Sequence, residues 1–138
     1  MKSTYATSYG IYCFTSTAKP ASQVEASGNK LVLYGTTTMY GMYFSGFYNA
    51  QPGLISNNMV SLLDNPSSST TYGMYFSSCR NMNIYHNSVY LNSGSPTSGR
   101  GIYVISSLSS GIRIVNNCSY NAGGGLALKL HQARQSRP

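Results

Sequence analysis

Four variants of one pentapeptide punctuate the chain: Tyr9-Gly-Ile-Tyr-Cys13, Tyr40-Gly-Met-Tyr-Phe44, Tyr72-Gly-Met-Tyr-Phe76 and Arg100-Gly-Ile-Tyr-Val104. Their glycines, Gly10, Gly41, Gly73 and Gly101, lie 31, 32 and 28 residues apart. A unit of that size cannot bury its apolar face alone, so repetition at this period requires the units to stack on one another.

A second motif keeps the same step. Gly53-Leu-Ile-Ser-Asn-Asn-Met-Val-Ser-Leu62 aligns with Met82-Asn-Ile-Tyr-His-Asn-Ser-Val-Tyr-Leu91 and with Ile112-Arg-Ile-Val-Asn-Asn-Cys-Ser-Tyr-Asn121. Val24–Leu33 is a weaker version. The shared asparagines Asn29, Asn58, Asn87 and Asn117 are spaced by 29, 29 and 30 residues. Stacked side-chain amides of this kind form a hydrogen-bonded ladder. Asn also tolerates the left-handed backbone of a sharp bend, which gives these residues a conformational reason to sit between strands.

Period-two alternation predicts three short strands per unit. In the third unit they are Tyr72–Phe76, Met82–His86 and Ser88–Asn92, joined by a turn over 77–81 and a tight bend at Asn87, with a long loop over 93–99. Alternation sets the inward columns as Ile11/Met42/Met74/Ile102 and Cys13/Phe44/Phe76/Val104 on the first strand. Ile55/Ile84/Ile114 follow on the second, and Leu31/Val60/Val89 and Leu33/Leu62/Leu91 on the third. Each column keeps residues of similar size, as a coiling chain requires. Residues 15–28 are the least regular and read as a loop. The coils are expected to occupy 1–121 and an atypical tail 122–138. In that tail, Leu126–Leu130 could begin a further strand, start a short end-covering helix, or belong to an unrelated end.

These motifs, Gly-Ile/Met-Tyr-Phe followed by Asn-Ile-x-x-Asn-x-Val-x-Leu, resemble the right-handed parallel β-helix repeat of the pectate-lyase-like superfamily over residues 9 to about 121. The resemblance implies an all-β, right-handed, single-stranded parallel β-helix of about four coils. It also implies a secreted or cell-surface setting and a chain that is part of a longer solenoid. It does not choose among lyases, hydrolases, epimerases, tailspikes and adhesins.

Composition narrows the chemistry. Only 8% of the 138 residues are charged, yet 12% are aromatic, with 13 Tyr and no Trp. Disordered chains are poor in aromatic and β-branched residues, whereas here such residues recur in register. The net charge of +7 includes Lys129, Arg134 and Arg137 near the end, while the other cations are scattered singly. Nucleic-acid binders gather theirs on one face, so no nucleic-acid partner is expected. No apolar stretch approaches the length of a membrane helix, so no membrane insertion is expected. The opening Met1-Lys2-Ser-Thr-Tyr5 does not read as a signal peptide.

Catalytic carboxylates are scarce: the chain holds only Glu25 and Asp64. Glycoside hydrolysis needs paired acids, and a calcium-dependent lyase needs several oxygen ligands, some of them charged. The register puts Glu25 on the second strand of the first unit and Asp64 in the long third loop of the second, on different sides of the coil. They do not form a pair. His86 reads as a polar turn residue of the asparagine ladder. Cys13 reads as an inward small hydrophobe, Cys79 as an exposable turn residue, and no metal site, disulfide framework or cofactor is expected.

What remains is aromatic. Alternation turns Tyr12, Tyr43, Tyr75 and Tyr103 outward on the first strand, flanked by Arg100. One reading is a glycan platform, since phenol rings match the C–H faces of sugars. The other is structural stacking of like residues on a β surface. The sequence therefore points to a non-catalytic scaffold or adhesion module that binds glycans through this column and can self-associate at its ends. The alternative is a fragment of a polysaccharide lyase or hydrolase whose acids lie outside the chain.

Overall fold

The computed structural model describes residues 2–3, 7–14, 23–35, 37–65, 70–93, 97–105 and 109–130. Among the described residues fourteen strands follow one another without a helix. They are β1 (Lys2–Ser3), β2 (Thr7–Phe14), β3 (Glu25–Ser27), β4 (Lys30–Gly35), β5 (Thr38–Ser45), β6 (Tyr48–Ser56) and β7 (Met59–Asn65). The series continues with β8 (Thr71–Ser77), β9 (Arg80–Tyr85), β10 (Ser88–Ser93), β11 (Gly99–Ile105), β12 (Ser110–Val115), β13 (Cys118–Asn121) and β14 (Leu126–Leu130).

Successive strands visit three sheets in strict rotation. One sheet is ordered β1-β4-β7-β10-β13, the second β14-β11-β8-β5-β2 and the third β12-β9-β6-β3. Every pairing is parallel. The chain is a parallel β-solenoid of about four turns. Like residues stack vertically: Met42 pairs with Met74, Met74 with Ile102, Ile55 with Ile84 and Ile84 with Ile114.

The inward columns fill the coil. Met42, Met74, Ile55, Ile84, Leu62 and Leu91 are wholly buried, and Phe44 stacks on Phe76 at 5.4 Å. Each such side chain contributes about 1.5–3 kcal/mol relative to exposure. At the ends the same columns are only partly covered, at Ile11, Cys13 and Leu31 on one side and Ile112 and Ile114 on the other.

The asparagine ladder forms as expected. Asn29, Asn58 and Asn87 each donate Nδ2–H to Oδ1 of the next asparagine at 2.8, 2.9 and 2.8 Å. Their backbone N–H groups donate to the same oxygens at 3.0, 3.0 and 2.8 Å. The second amide hydrogens of Asn58, Asn87 and Asn117 reach back to the carbonyls of Ala26, Ile55 and Ile84. Asn58 and Asn87 are buried. The left-handed bend falls one residue earlier than expected, on Gly28, Asn57, His86 and Asn116, with φ between 54° and 67°. The ladder asparagine is thereby freed to point inward.

Several boundaries differ from the sequence reading. Residues 15–22 of the expected 15–28 loop lie outside the described residues, but Glu25–Ser27 is strand β3, pairing with β6. Asp64 belongs to β7 rather than to a loop. In the third unit the strands extend to Thr71–Ser77 and Ser88–Ser93, whereas the middle one is shifted to Arg80–Tyr85, with His86 in the bend. Cys79 is buried, not exposed: it directly precedes Arg80, which pairs with Tyr48 and donates its backbone N–H to the carbonyl of the core residue Phe47 on the neighbouring coil. Its thiol lies 3.5 Å from the Phe44 carbonyl, and burial pushes its pKa up to about 11. Of the readings open for Leu126–Leu130, the further strand is the one found: it pairs in parallel with β11 as a fifth rung.

Candidate functional site: a tyrosine-lined sheet face

The sheet ordered β14-β11-β8-β5-β2 turns two tyrosine columns outward, one more than alternation predicts. Along β5, Tyr40 and Tyr43 both face out although two residues separate them. The break in alternation is the glycine between them. Tyr40 pairs with Tyr72 and Met42 with Met74, so Gly41 is skipped in the register and lies buried beside a buried Met42. A Cβ at Gly41 would strike Val60 Cγ1 and lie 2.5 Å from the Gly73 carbonyl oxygen. Only glycine lets the neighbouring strand approach this closely.

The rings interlock. In one column Tyr9 stacks on Tyr40 at 5.0 Å and Tyr40 on Tyr72 at 4.8 Å. In the other, Tyr12 stacks on Tyr43 and Tyr43 on Tyr75, both at 5.0 Å. Between columns the contacts are edge-on, as for Tyr40–Tyr43 at 5.3 Å and 87° and Tyr72–Tyr75 at 5.1 Å and 71°. Offset stacks and T-shaped contacts are the favourable arrangements of aromatic quadrupoles.

The fourth coil ends the pattern. Arg100 occupies the register position above Tyr72, and the Tyr103 ring tilts across to stack on Tyr72 at 5.6 Å while meeting Tyr75 edge-on at the same distance. Lys129 Nζ sits 5.4 Å from the Tyr103 centroid, and the ring is buried. Of the four tyrosines read as a platform, Tyr12 is 52% exposed, Tyr43 and Tyr75 are half-buried, and Tyr103 is covered. Arg100 is part-buried and donates from Nη1 to the Gly99 carbonyl at 2.7 Å.

This geometry decides what the rings can offer. Interior ring faces lie against their neighbours, leaving edges and hydroxyls accessible. Open aromatic surface is greatest in the first coil, at Tyr9, Tyr12 and Phe14, which are 42%, 52% and 60% exposed. Burial, then the neighbouring phenols, raise the pKa of Tyr40, and the same order of causes pushes Tyr75 up to about 12. Tyr9 and Tyr72 are also raised, again chiefly by burial. These hydroxyls are therefore neutral donors and acceptors at ordinary pH.

The two acidic residues belong to strands of different sheets, Glu25 to β3 and Asp64 to β7, as their spacing implies. Among the described residues no cluster of His, Cys, Asp and Glu could hold a metal ion. The His86 ring is exposed beside Tyr85, and its backbone N–H donates to the Val115 carbonyl at 3.3 Å.

Strict alternation misses Tyr9, Tyr40 and Tyr72 because it assigns them to the inside. The glycine within every Tyr-Gly-Ile/Met-Tyr repeat was the available signal, since a strand-interior glycine marks a bulge or a close approach. Comparison with protein-family models, curated proteins and solved structures returned no match.

Proposed function

We propose that the chain is a non-catalytic scaffold of the right-handed, pectate-lyase-like kind, a stretch of a longer secreted or surface solenoid that engages an extended glycan along its tyrosine face. The observation carrying this reading is the doubled tyrosine column, which repeats a pair of phenols once per coil at the strand spacing of about 4.8 Å. A linear polysaccharide laid along the axis meets hydroxyls and ring edges in the interior coils. Ring faces of Tyr9 and Tyr12 are left for a terminal sugar. Arg100 and Lys129 give the far end of the face a cationic margin, which suits an acidic glycan. Paired tyrosines would hold such a chain through many weak contacts, with affinity growing with glycan length.

The test is affinity electrophoresis in polysaccharide gels. Tyr43→Ala combined with Tyr75→Ala should abolish retardation while the β-type circular dichroism persists. Unchanged retardation of a folded double variant rejects the reading.

A further inference from the structure

The tyrosine face has a second chemical property, independent of any glycan. Phenols on successive coils stand 4.8–5.0 Å apart in nearly parallel stacks, and edge-on contacts link the two columns. On β2, β5 and β8 the paired ring positions are all tyrosine: Tyr9 and Tyr12, Tyr40 and Tyr43, Tyr72 and Tyr75. Tyr9 and Tyr12 are open to solvent at one end, so a diffusing oxidant reaches the array there. A hole created on one phenol always has a second phenol as neighbour.

We propose that this face is an oxidative cross-linking site at which a one-electron oxidant, of the peroxidase or photosensitiser class, joins tyrosines of adjacent coils as dityrosine within a single chain. Each of two phenols gives one electron to the oxidant and its hydroxyl proton to water. The two phenoxyl radicals combine through ring carbons ortho to oxygen, forming one C–C bond. The hydrogen on each of those carbons then moves to the phenolic oxygen and restores aromaticity. The net change is loss of two protons and two electrons, that is, of two hydrogen atoms, per link. Rotation about the side-chain bonds of residues paired strand to strand, as Tyr9 with Tyr40 and Tyr12 with Tyr43, brings the ortho carbons together. Competing oxidation falls on exposed sulfur, at Cys118 and Met59, whereas Met39, Met42, Met74 and Met82 are buried. A link staples one coil to the next and restricts the unfolded chain as a disulfide does.

The experiment treats the intact chain, its accessible thiols first alkylated, with a photosensitised one-electron oxidant at several protein concentrations. Peptide mapping then reads the product. Trypsin separates residues 3–30, which carry Tyr5, Tyr9 and Tyr12, from residues 31–80, which carry Tyr34, Tyr40, Tyr43, Tyr48, Tyr72 and Tyr75, and fragment ions of the joined peptide locate the linked pair. The expected result is a monomeric chain lighter by two hydrogens per link, with these peptides joined at Tyr9–Tyr40 or Tyr12–Tyr43 and a yield independent of concentration. Tyr40→Phe with Tyr43→Phe, which keeps the stacked rings, should lose that joined peptide. Links found chiefly at Tyr34, Tyr48, Tyr85, Tyr90 or Tyr120 would overturn the proposal, as would chain dimers that grow with concentration or a joined peptide that survives the double variant. The wild-type map stands by itself if the variant fails to fold.

Discussion

Two ladders climb the solenoid, and they are built on opposite terms. The asparagine ladder is inside: Asn58 and Asn87 are buried, and each amide is matched to the coil above and the coil below. The tyrosine ladder is outside, half-exposed, and held by ring stacking rather than by directional bonds. Both repeat one residue type per coil. The difference is what failure costs. A buried donor left without its acceptor loses the full solvation it gave up, whereas a half-exposed ring regains water on one side.

The sharpest test of this contrast is Asn87→Ala. It removes the oxygen that accepts from both the backbone and the side-chain nitrogen of Asn58, leaving two buried donors without a partner. We expect a loss of about 3 kcal/mol, seen as a fall in Tm of about 10 °C by circular dichroism. Gly73→Ala should cost a comparable amount, about 3 kcal/mol, because the added carbon would strike Val89 Cγ1 and lie 2.6 Å from the Gly101 carbonyl oxygen. A tolerated alanine there would mean that the coils are not in close contact at the glycine column.

On the outer ladder, Tyr75→Ala should cost less, about 1–2 kcal/mol, for one lost stack and its edge contacts. A loss as large as that of Asn87→Ala would erase the distinction between the two ladders. The outer ladder alone should respond to alkali. Burial raises the phenols of Tyr9, Tyr40, Tyr72 and Tyr75 above the ordinary value of 10.0, so the folded state disfavours the tyrosinate. Their contribution to stability is complete below pH 10 and is lost as pH rises through about 12, the value for Tyr75. Urea midpoints measured across that range should fall, and Tyr75→Phe should flatten part of the decline. The smallest effect is expected at the bends. His86 adopts φ 54°, where its register mates are Asn57 and Asn116. His86→Asn should therefore stabilise the fold slightly, by a few tenths of a kcal/mol, seen as a rise in Tm of about 1 °C.

The hydrogen-bonded column of the inner ladder was legible in the sequence, since its asparagines keep their spacing and their type, and the inward Met, Phe, Ile and Leu columns came with it. Half of the outer ladder was not. Counting by twos puts Tyr40 on the same side as Met42, and only the tight approach of Val60 to Gly41 reverses it. That approach belongs to a strand from another side of the coil, which local alternation does not contain. The same reason hides Cys79. A cysteine between Ser78 and Arg80 reads as a surface turn, yet the positive φ of Ser78 turns the next residue into the core beneath Phe44. Likewise the left-handed residue sits one place before the ladder asparagine, because the amide must point inward and the chain must turn first.

Nuclear magnetic resonance of the intact chain tests the stacked-coil account most directly, through the side-chain amides of Asn58 and Asn87. Stacked coils require slow solvent exchange for both, cross-peaks from each to the asparagine of the next coil, and methyl contacts linking Ile55 to Ile84 and Ile84 to Ile114. Rapid exchange of those amides, with cross-peaks only between residues close in sequence, would contradict it.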